Sequence, residues 1–502
     1  MVPVRRAGGG PPGRAVAALC CWVLFLVVLL PLLVLRSSDA RFGAALVVQG
    51  VVVVHTGGAL ARVLTDARAR VIAFGFWLFS YVWLGLAPLA MLATDAYPRG
   101  FAVDTRTAFL TTVLVETGLL AYSAGSALAS WRAGRAATVL GPVLARRLSP
   151  GRVLLLCGAA LLLAAVLVPG QGGLSAFFLS RQAAGEAARA GSSGPADRAL
   201  GAWVLSVPAF WALVALVHVP RFRAGDRVLR GLRWLLLPLL IALNVVVNNP
   251  ISRPRFWAGT VLLTLLFGAS WLRGARAFRV AAAGVAAVVL VVFPYSDYFR
   301  YDEREPVRVV SLAEQFTSNG DYDAFQQIAT GVDRVRTHGF TPSAALGPPL
   351  FFVPRTAWPG KPDDAGILLA RHAGYRFENL SAPLWIESYM WAGFPAVVAV
   401  FGLVGAVGRR IDDVRHRLRR RPGTLAALLV PAFGCYQLVL LRGSLMAIVG
   451  PLALLVCVPL LITRRSRRRP AVPSSAPESA GAPVATARRR GVRPLPTGGV
   501  PG

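Results

Sequence analysis

The chain has 502 residues, 55% of them hydrophobic and only 15% charged, with a net charge of +31 and a mean hydropathy of +0.57. A soluble domain carries about a quarter charged residues, and here the apolar residues arrive in blocks close to the roughly 20 that cross a bilayer as a helix. A soluble globular fold is therefore excluded. Nucleic-acid binding is set aside as well, because the cations flank the apolar blocks and form no basic segment interleaved with aromatics.

The N-terminal Arg5, Arg6 and Arg14 precede an apolar run over 15–35. The arrangement resembles a signal peptide, but no small-residue cleavage site follows and the run is long enough to span. It reads as a retained first helix. Further spans are predicted at 43–61, 71–93, 108–129, 153–169, 199–219, 234–249, 256–272, 280–295, 383–408, 424–441 and 444–463. The fold class is an all-α polytopic membrane protein with about twelve transmembrane helices. Alternation from a cytoplasmic N-terminus puts the Arg409–Arg421 block and the tail beyond Arg464 inside, and most of the acids outside, as the positive-inside rule asks. Both termini are then cytoplasmic. A reporter fused after residue 330 is expected outside and one after 415 inside.

Four regions follow: helices one to nine over 1–295, a large outer loop over 296–382, helices ten to twelve over 383–463, and a Pro-, Ser-, Ala- and Arg-rich tail over 464–502 that reads as disordered. The loop is the longest connection, and its length and aromatic content read as ordered and functional. Asp321 is placed to cap a helix through Tyr322, Phe325, Ile328 and Val332, an apolar stripe at helical spacing. A second apolar stretch, 344–353, precedes a proline-punctuated turn. The five cysteines, Cys20, Cys21, Cys157, Cys435 and Cys457, all lie in apolar blocks without ligand spacing to histidine. Neither a metal site nor a disulfide framework is read from them, and activity is expected to survive a chelator.

Three outer segments hold residues able to do chemistry. The first is Asn248-Asn249-Pro250-Ile251-Ser252-Arg253-Pro254-Arg255-Phe256-Trp257. Interface anchoring explains arginine and tryptophan there, but two outward arginines in one turn also suit a phosphate, which guanidinium binds in a bidentate fork. The second runs from Phe351 to Asp364, a rigid turn with Arg355 and Lys361, the only lysine, either side of Trp358. A rigid backbone with an aromatic beside cations suits a sugar-phosphate, and an ordinary proline-rich loop with solvated charges is the lesser alternative. The third runs from Glu378 and Asn379 into the tenth span, where Glu387 falls a turn inside the apolar block. A carboxylate there is costly unless it faces a cavity or a partner, and Arg442 is the cation at similar depth. Glu116, within the fourth span, poses the same question. Arg253, Arg255, Arg355 and Arg442 are expected to converge on one outward cavity, with Lys361 at its rim and Glu387 in its wall. Four unpaired cations repel one another, so the gathering implies an anion among them.

The segments NNPISRPRFWAGT, FPYSDYFRYD, FFVPRTAWPGKP, NLSAPLWIESYMWAGF and LRGSL, in that order, resemble the Wzy-type oligosaccharide repeat-unit polymerases of the O-antigen polymerase and ligase group. The resemblance covers about residues 240–463, and WPGKP after a Phe pair is its most specific element. It implies a bacterial cytoplasmic-membrane enzyme of surface polysaccharide biosynthesis. Such an enzyme polymerises undecaprenyl-diphosphate-linked oligosaccharides on the outer face without a cofactor. A chain-length regulator and a flippase are implied as partners. On that resemblance Arg253, Arg255, Arg355, Lys361 and Arg442 bind phosphate, and Trp358 and Asn379 bind sugar. Glu387 serves with Arg355 and Arg442 in catalysis, orienting or deprotonating the acceptor hydroxyl.

An O-antigen ligase-like transferase shares the donor and the arginine logic and differs in acceptor. A polyprenyl-phosphate-sugar transferase usually shows paired acids in its first outer loop, where this chain has a lone Asp39. A transporter would show repeated halves and a matched pair of interrupted spans, and neither is visible in the sequence.

Overall fold

The structure is a computed structural model, and it describes residues 12–36, 42–131, 137–179, 195–219, 227–249, 251, 254–292, 310–378 and 380–465. Arg253, Asn379, the start of the long loop at 296–309 and the tail from 466 lie outside the described residues.

The chain is a helical membrane protein. Among the described residues nine helices are long and apolar enough to cross a membrane. In chain order the bundle begins with α1 (Gly13–Arg36), α2 (Ala44–Thr65), α3 (Val71–Thr94), α4 (Thr105–Trp131), α5 (Pro150–Gly170), α6 (Gly201–His218) and α7 (Arg230–Val247). Two shorter helices follow, α8 (Arg255–Gly268) and α9 (Ala275–Val291). The loop contributes α10 (Leu312–Ser318), α11 (Ala324–His338) and α12 (Ala365–His372). Then come α13 (Leu384–Leu418), α14 (Leu425–Arg442) and α15 (Leu445–Leu461). A helix thus occupies each of the twelve predicted stretches. Those at 256–272, 280–295 and 444–463 are shorter, at 14, 17 and 17 residues. One antiparallel ladder of two residues pairs Arg147–Leu148 with Thr463–Arg464.

The core forms around α3, whose apolar window is 94% buried. In lipid the hydrophobic effect does not drive helices together, so close contact needs small residues at the crossings. The α4–α13 crossing shows this: a Cβ on Gly125 would strike the carbonyl of Gly402, and one on Gly405 that of Tyr122. The middle of α3 widens into a π-helical turn, Ser80–Leu86, which loosens the backbone ladder. Gln49 of α2 donates to Leu84 O and Gly85 O, both at 2.7 Å, supplying donors that lipid cannot. The same turn aims Trp83 toward the long loop, where its indole donates to the Asp321 carbonyl at 2.9 Å.

A second irregularity interrupts α13. Ala392 (φ −158°, ψ 33°) and Gly393 (φ 70°, ψ −153°) leave helical geometry just before Pro395. The left-handed φ of Gly393 is one that glycine adopts without steric cost. The break frees the Met390 carbonyl, which accepts from Thr341 N of the loop at 2.8 Å. At the opposite end of the bundle, Asp412 of α13 accepts from Ile72 N and Ala73 N at 3.1 Å each. It caps the first turn of α3, where a carboxylate also meets the helix dipole favourably.

Candidate functional site

The predicted helix beginning at Asp321 starts slightly later. A short 3-10 turn spans Gly320–Tyr322, capped by Asn319, and α11 follows from Ala324. Asp321 is therefore not a helix cap. Freed of that task, its carboxylate and that of Asp323 become the meeting point of three arginines from three distant connections. Arg255, the first residue of α8, places Nη2 at 2.7 Å from Asp321 Oδ2. Arg442, the last residue of α14, donates through Nη2 to Asp323 Oδ1 at 2.9 Å and to Gly320 O at 3.1 Å. Arg99, between α3 and α4, donates through Nε to Asp323 Oδ2 at 2.9 Å.

Two of the predicted cations, Arg255 and Arg442, are thus brought together, but they are not unpaired. The expectation that an external anion alone makes the gathering tolerable is corrected, because Asp321 and Asp323 do much of that work. Three guanidinium groups and two carboxylates give these five side chains a formal net charge of about +1. Arg442 Nε is buried with no hydrogen-bond partner among the described residues.

Asp323 is fully buried and also accepts from Ser381 Oγ at 3.1 Å. Burial on its own would lower the Arg99 pKa, but the Asp323 carboxylate, with Tyr375 and Asp321 farther off, holds it above the usual arginine value. Aromatic faces complete the surroundings. The Arg442 guanidinium lies 5.2 Å from the centre of the Phe256 ring and that of Arg99 5.3 Å from Phe377, within cation–π range. Trp83 stacks against Tyr322 at 5.7 Å.

The remaining predicted residues lie elsewhere. Arg355 and Lys361 do not join the cluster and take their partners from their own turn. Arg355 donates to Lys361 O at 2.8 Å and to Asp363 Oδ1 at 2.9 Å. Lys361 Nζ donates to Phe351 O at 2.7 Å and Val353 O at 2.8 Å. The reason is local: prolines strip this turn of N–H groups, and its carbonyls recruit the nearest cations. Trp358 is half-buried in the same turn.

Glu387 pairs with neither Arg442 nor any other cation among the described residues. It is buried, and its Oε1 accepts from Ser444 Oγ and Leu445 N at 2.9 Å each, capping α15 in the manner of an N-terminal carboxylate. Its other oxygen is also buried and has no hydrogen-bond partner among the described residues. Beside it, Asp364 of the loop is pushed above the usual carboxylate range by burial, against the opposing pull of Ser444 and the amides of Gly366, Ile367 and Ala447. Asn248 and Asn249 fix their turn. Asn248 Oδ1 accepts from the Trp257 indole at 2.8 Å, and Asn249 Nδ2 donates to Phe177 O at 2.8 Å.

Sequence reasoning missed Arg99 and Asp323. The available signal for Arg99 was its place in a connection assigned outward, where arginine is disfavoured.

The cluster stands at one end of an apolar groove of about 1280 Å³ between α8 and α9. Trp83, Phe256, Leu262, Trp271 and Val288 are among its walls, and Arg255 is its one charged lining residue among the described residues. The volume exceeds the roughly 300–1,000 Å³ of ordinary small-ligand clefts.

A separate polar group lies inside the bundle. His55 of α2 bonds through Nδ1 to Glu116 Oε1 at 2.8 Å and through Nε2 to Ser123 Oγ at 3.1 Å. Both helices of the pair are long and apolar enough to be spans, and of the two readings open for Glu116 the geometry supplies a partner, His55. Among the described residues no group of three or more His, Cys, Asp or Glu side chains is placed to hold a metal ion.

No family model matches the chain, and no curated protein or solved structure is similar enough to it to count as a match.

Proposed function

We propose that the chain is a polyprenyl-diphosphate-dependent glycosyltransferase of the repeat-unit polymerase type. It works on the outer face of a bacterial cytoplasmic membrane, with its termini in the cytoplasm. The observation that carries this reading is the groove between α8 and α9, whose described lining residues are apolar except for Arg255, at the end where Arg99 and Arg442 gather. A long apolar tail beside a diphosphate is the ligand chemistry that such a surface suits. Resemblance in the segments around Arg255, Lys361 and Arg442 points the same way, as does the charge asymmetry of the connections.

In the reaction, the acceptor sugar's hydroxyl oxygen bonds to the anomeric carbon of the donor chain. The bond from that carbon to the diphosphate oxygen breaks, the polyprenyl diphosphate departs with the electron pair, and the hydroxyl proton passes to a base. Charge grows on the departing diphosphate, and fixed guanidinium groups stabilise such charge without reorganising. Arg255, Arg442 and Arg99 take that role here, with Asp321 and Asp323 holding them in place. Glu387 becomes a positioning residue that anchors Ser444 and Leu445, two and three residues beyond Arg442. Its burial does not suit it to take the acceptor's proton. Lys361 and Arg355 support the proline-rich turn.

The test is reconstitution of the chain in lipid nanodiscs with undecaprenyl-diphosphate oligosaccharide as both donor and acceptor. Lengthened saccharide and free undecaprenyl diphosphate in matching amounts are the expected products. Transfer only to a different acceptor would move the assignment to the ligase-like alternative, and no transfer to either would overturn it.

A membrane transporter is the second reading, favoured by the His55–Glu116 pair within the spans and the break at Ala392–Gly393. Ionisable residues inside membranes often mark ion pathways, and interrupted helices often mark transport sites. Proton uptake by proteoliposomes, abolished by Glu116→Gln, would favour it.

A further inference from the structure

Between Gly339 and Pro354 the long loop carries no charged side chain. Four of its apolar side chains, Phe340, Leu346, Leu350 and Phe352, are 37–68% exposed. A row of this kind on an extramembrane loop is costly in water, and contiguous exposed apolar surface marks a contact with another apolar phase. The position of the row identifies that phase. Its inner side packs on the candidate span α13 and on the shorter apolar helix α15. Met446 Sδ of α15 comes within 2.9 Å of where a Cβ on Gly347 would stand, and the Phe351 ring lies 3.9 Å from the same point on Gly450. Gly450 is five residues into α15, which at 1.5 Å per residue is about 8 Å past the helix start. On α13 the Phe340 ring edge lies 3.2 Å from the Cβ position of Gly393. Beside it Ala392, Pro395 and Val398 form an exposed edge of that span. The outward apolar row is therefore continuous with span surfaces that face lipid.

Much of the backbone is matched for the same medium. Within lipid an unmatched N–H or C=O costs several kcal/mol. Pro342, Pro348 and Pro349 have no N–H to satisfy. Gly347, Leu350, Phe351 and Val353 donate within the segment. The carbonyls of Phe351 and Val353 both accept from Lys361 Nζ. An ammonium that caps two carbonyls from the polar side lets the turn stand beside acyl chains while its charge stays at headgroup level.

We infer that residues 340–353 form an interfacial wedge that rests among the acyl chains of the leaflet on the loop face, seated against α13 and α15 and closed on its polar side by Lys361. The inference does not depend on the catalytic reading, since it concerns where the loop sits and not what the cluster binds. It gives the proline-rich turn a mechanical role: the wedge fixes the height of the loop, and so of Asp321 and Asp323, relative to the membrane surface.

The experiment uses the full chain in nanodiscs containing a phospholipid with a diazirine in the upper part of its acyl chain. Photolysis and peptide mass spectrometry then locate the adducts. The expected result is labelling of Leu346, Leu350 and Phe352 at a level within about twofold of exposed span residues such as Val47 and Leu155, with Arg376 of the same loop unlabelled. In Leu346→Asp/Phe352→Asp, labelling of 340–353 should fall at least fivefold while that of the spans is kept. Spans labelled with 340–353 unlabelled would overturn the inference. Hydroxyl-radical footprinting of the same sample would then say whether water or a protein partner covers the row, and either finding counts against the lipid.

Discussion

Arg442 donates to Asp323 Oδ1 at 2.9 Å across 119 positions of sequence, joining the end of α14 to the turn that opens α11. Asp323 is completely buried, so the bond lies in a region of weak screening, where charge-assisted hydrogen bonds are shorter and stronger than neutral ones. The pair joins an element of the bundle to the loop, and Arg99 closes the same carboxylate from the other side.

The first prediction follows from the geometry of that carboxylate. Arg442→Lys keeps the charge but loses the planar fork, and turnover is expected to fall by about 100-fold, the scale of losing one fixed donor to developing charge. Its melting temperature in detergent should stay near that of the native chain. Asp323→Ala, in contrast, strands two arginines and should cost roughly 3–5 kcal/mol, seen as a lower melting temperature. A wild-type rate for Arg442→Lys would remove the phosphate role.

The groove makes a second prediction. Gly259 and Gly284 line it, and nothing lies within 4 Å of where their Cβ atoms would stand. A larger side chain should therefore enter the groove without disturbing α8 or α9, and replacing glycine by phenylalanine favours a helix by about 0.4 kcal/mol. Gly284→Phe is expected to fold at least as well as the native chain and to lose most transfer from full-length polyprenyl donors. Donors with a short prenyl tail should suffer less. Equal loss for both tail lengths would argue that the groove does not hold the tail.

Helix packing supplies a third. At the α4–α13 crossing Gly405 has no room for a side chain against Tyr122. Gly405→Leu should force the helices apart at a cost of about 3 kcal/mol, lowering both yield and melting temperature. Leu128→Ala, on a lipid-exposed position of α4, should change neither. If both variants melt together with the native chain, the crossing is looser than described.

The fourth concerns pH. Burial raises the Asp364 pKa above the usual carboxylate value, so between the unfolded and the folded pKa the native state keeps a proton there that the unfolded chain has released. Stability from this group is greatest at low pH and is lost as pH rises through the folded pKa. Asp364→Asn removes the ionisation. Its melting temperature should exceed the native one at pH 8, and the gap should shrink as pH falls toward the ordinary carboxylate range. A gap independent of pH would mean that the carboxylate's hydrogen bonds, not its charge, dominate.

Much of the helix placement could be read from the chain because the bilayer sets the length of its spans and makes lipid-facing polar side chains along them costly. That constraint acts locally, so α2 to α7 appear within a few residues of their predicted places. The grouping of Arg255 and Arg442 on one end also follows from counting spans, because alternate connections share a face. Glu387 shows where such counting stops. Depth made Arg442 one available partner, but the start of α15 offers a donor in Leu445 N, and Arg442 turns to Asp323 instead.

The sequence by itself determined the class of protein, the approximate spans and which connections share an end of the bundle. Only the tertiary structure decided that Asp321 and Asp323 compensate the arginines, that Arg99 joins them, and that Lys361 serves its own turn. The reason is range. Hydropathy acts on consecutive residues, whereas Arg99 and Asp323 are 224 positions apart and meet only after α3, α8 and α14 have packed. Which carboxylate a guanidinium reaches depends on the rotation of each helix about its axis. That rotation is set by contacts such as the π-helical turn at Ser80–Leu86 and the glycines of α4 and α13, whose effect no local pattern in the chain records.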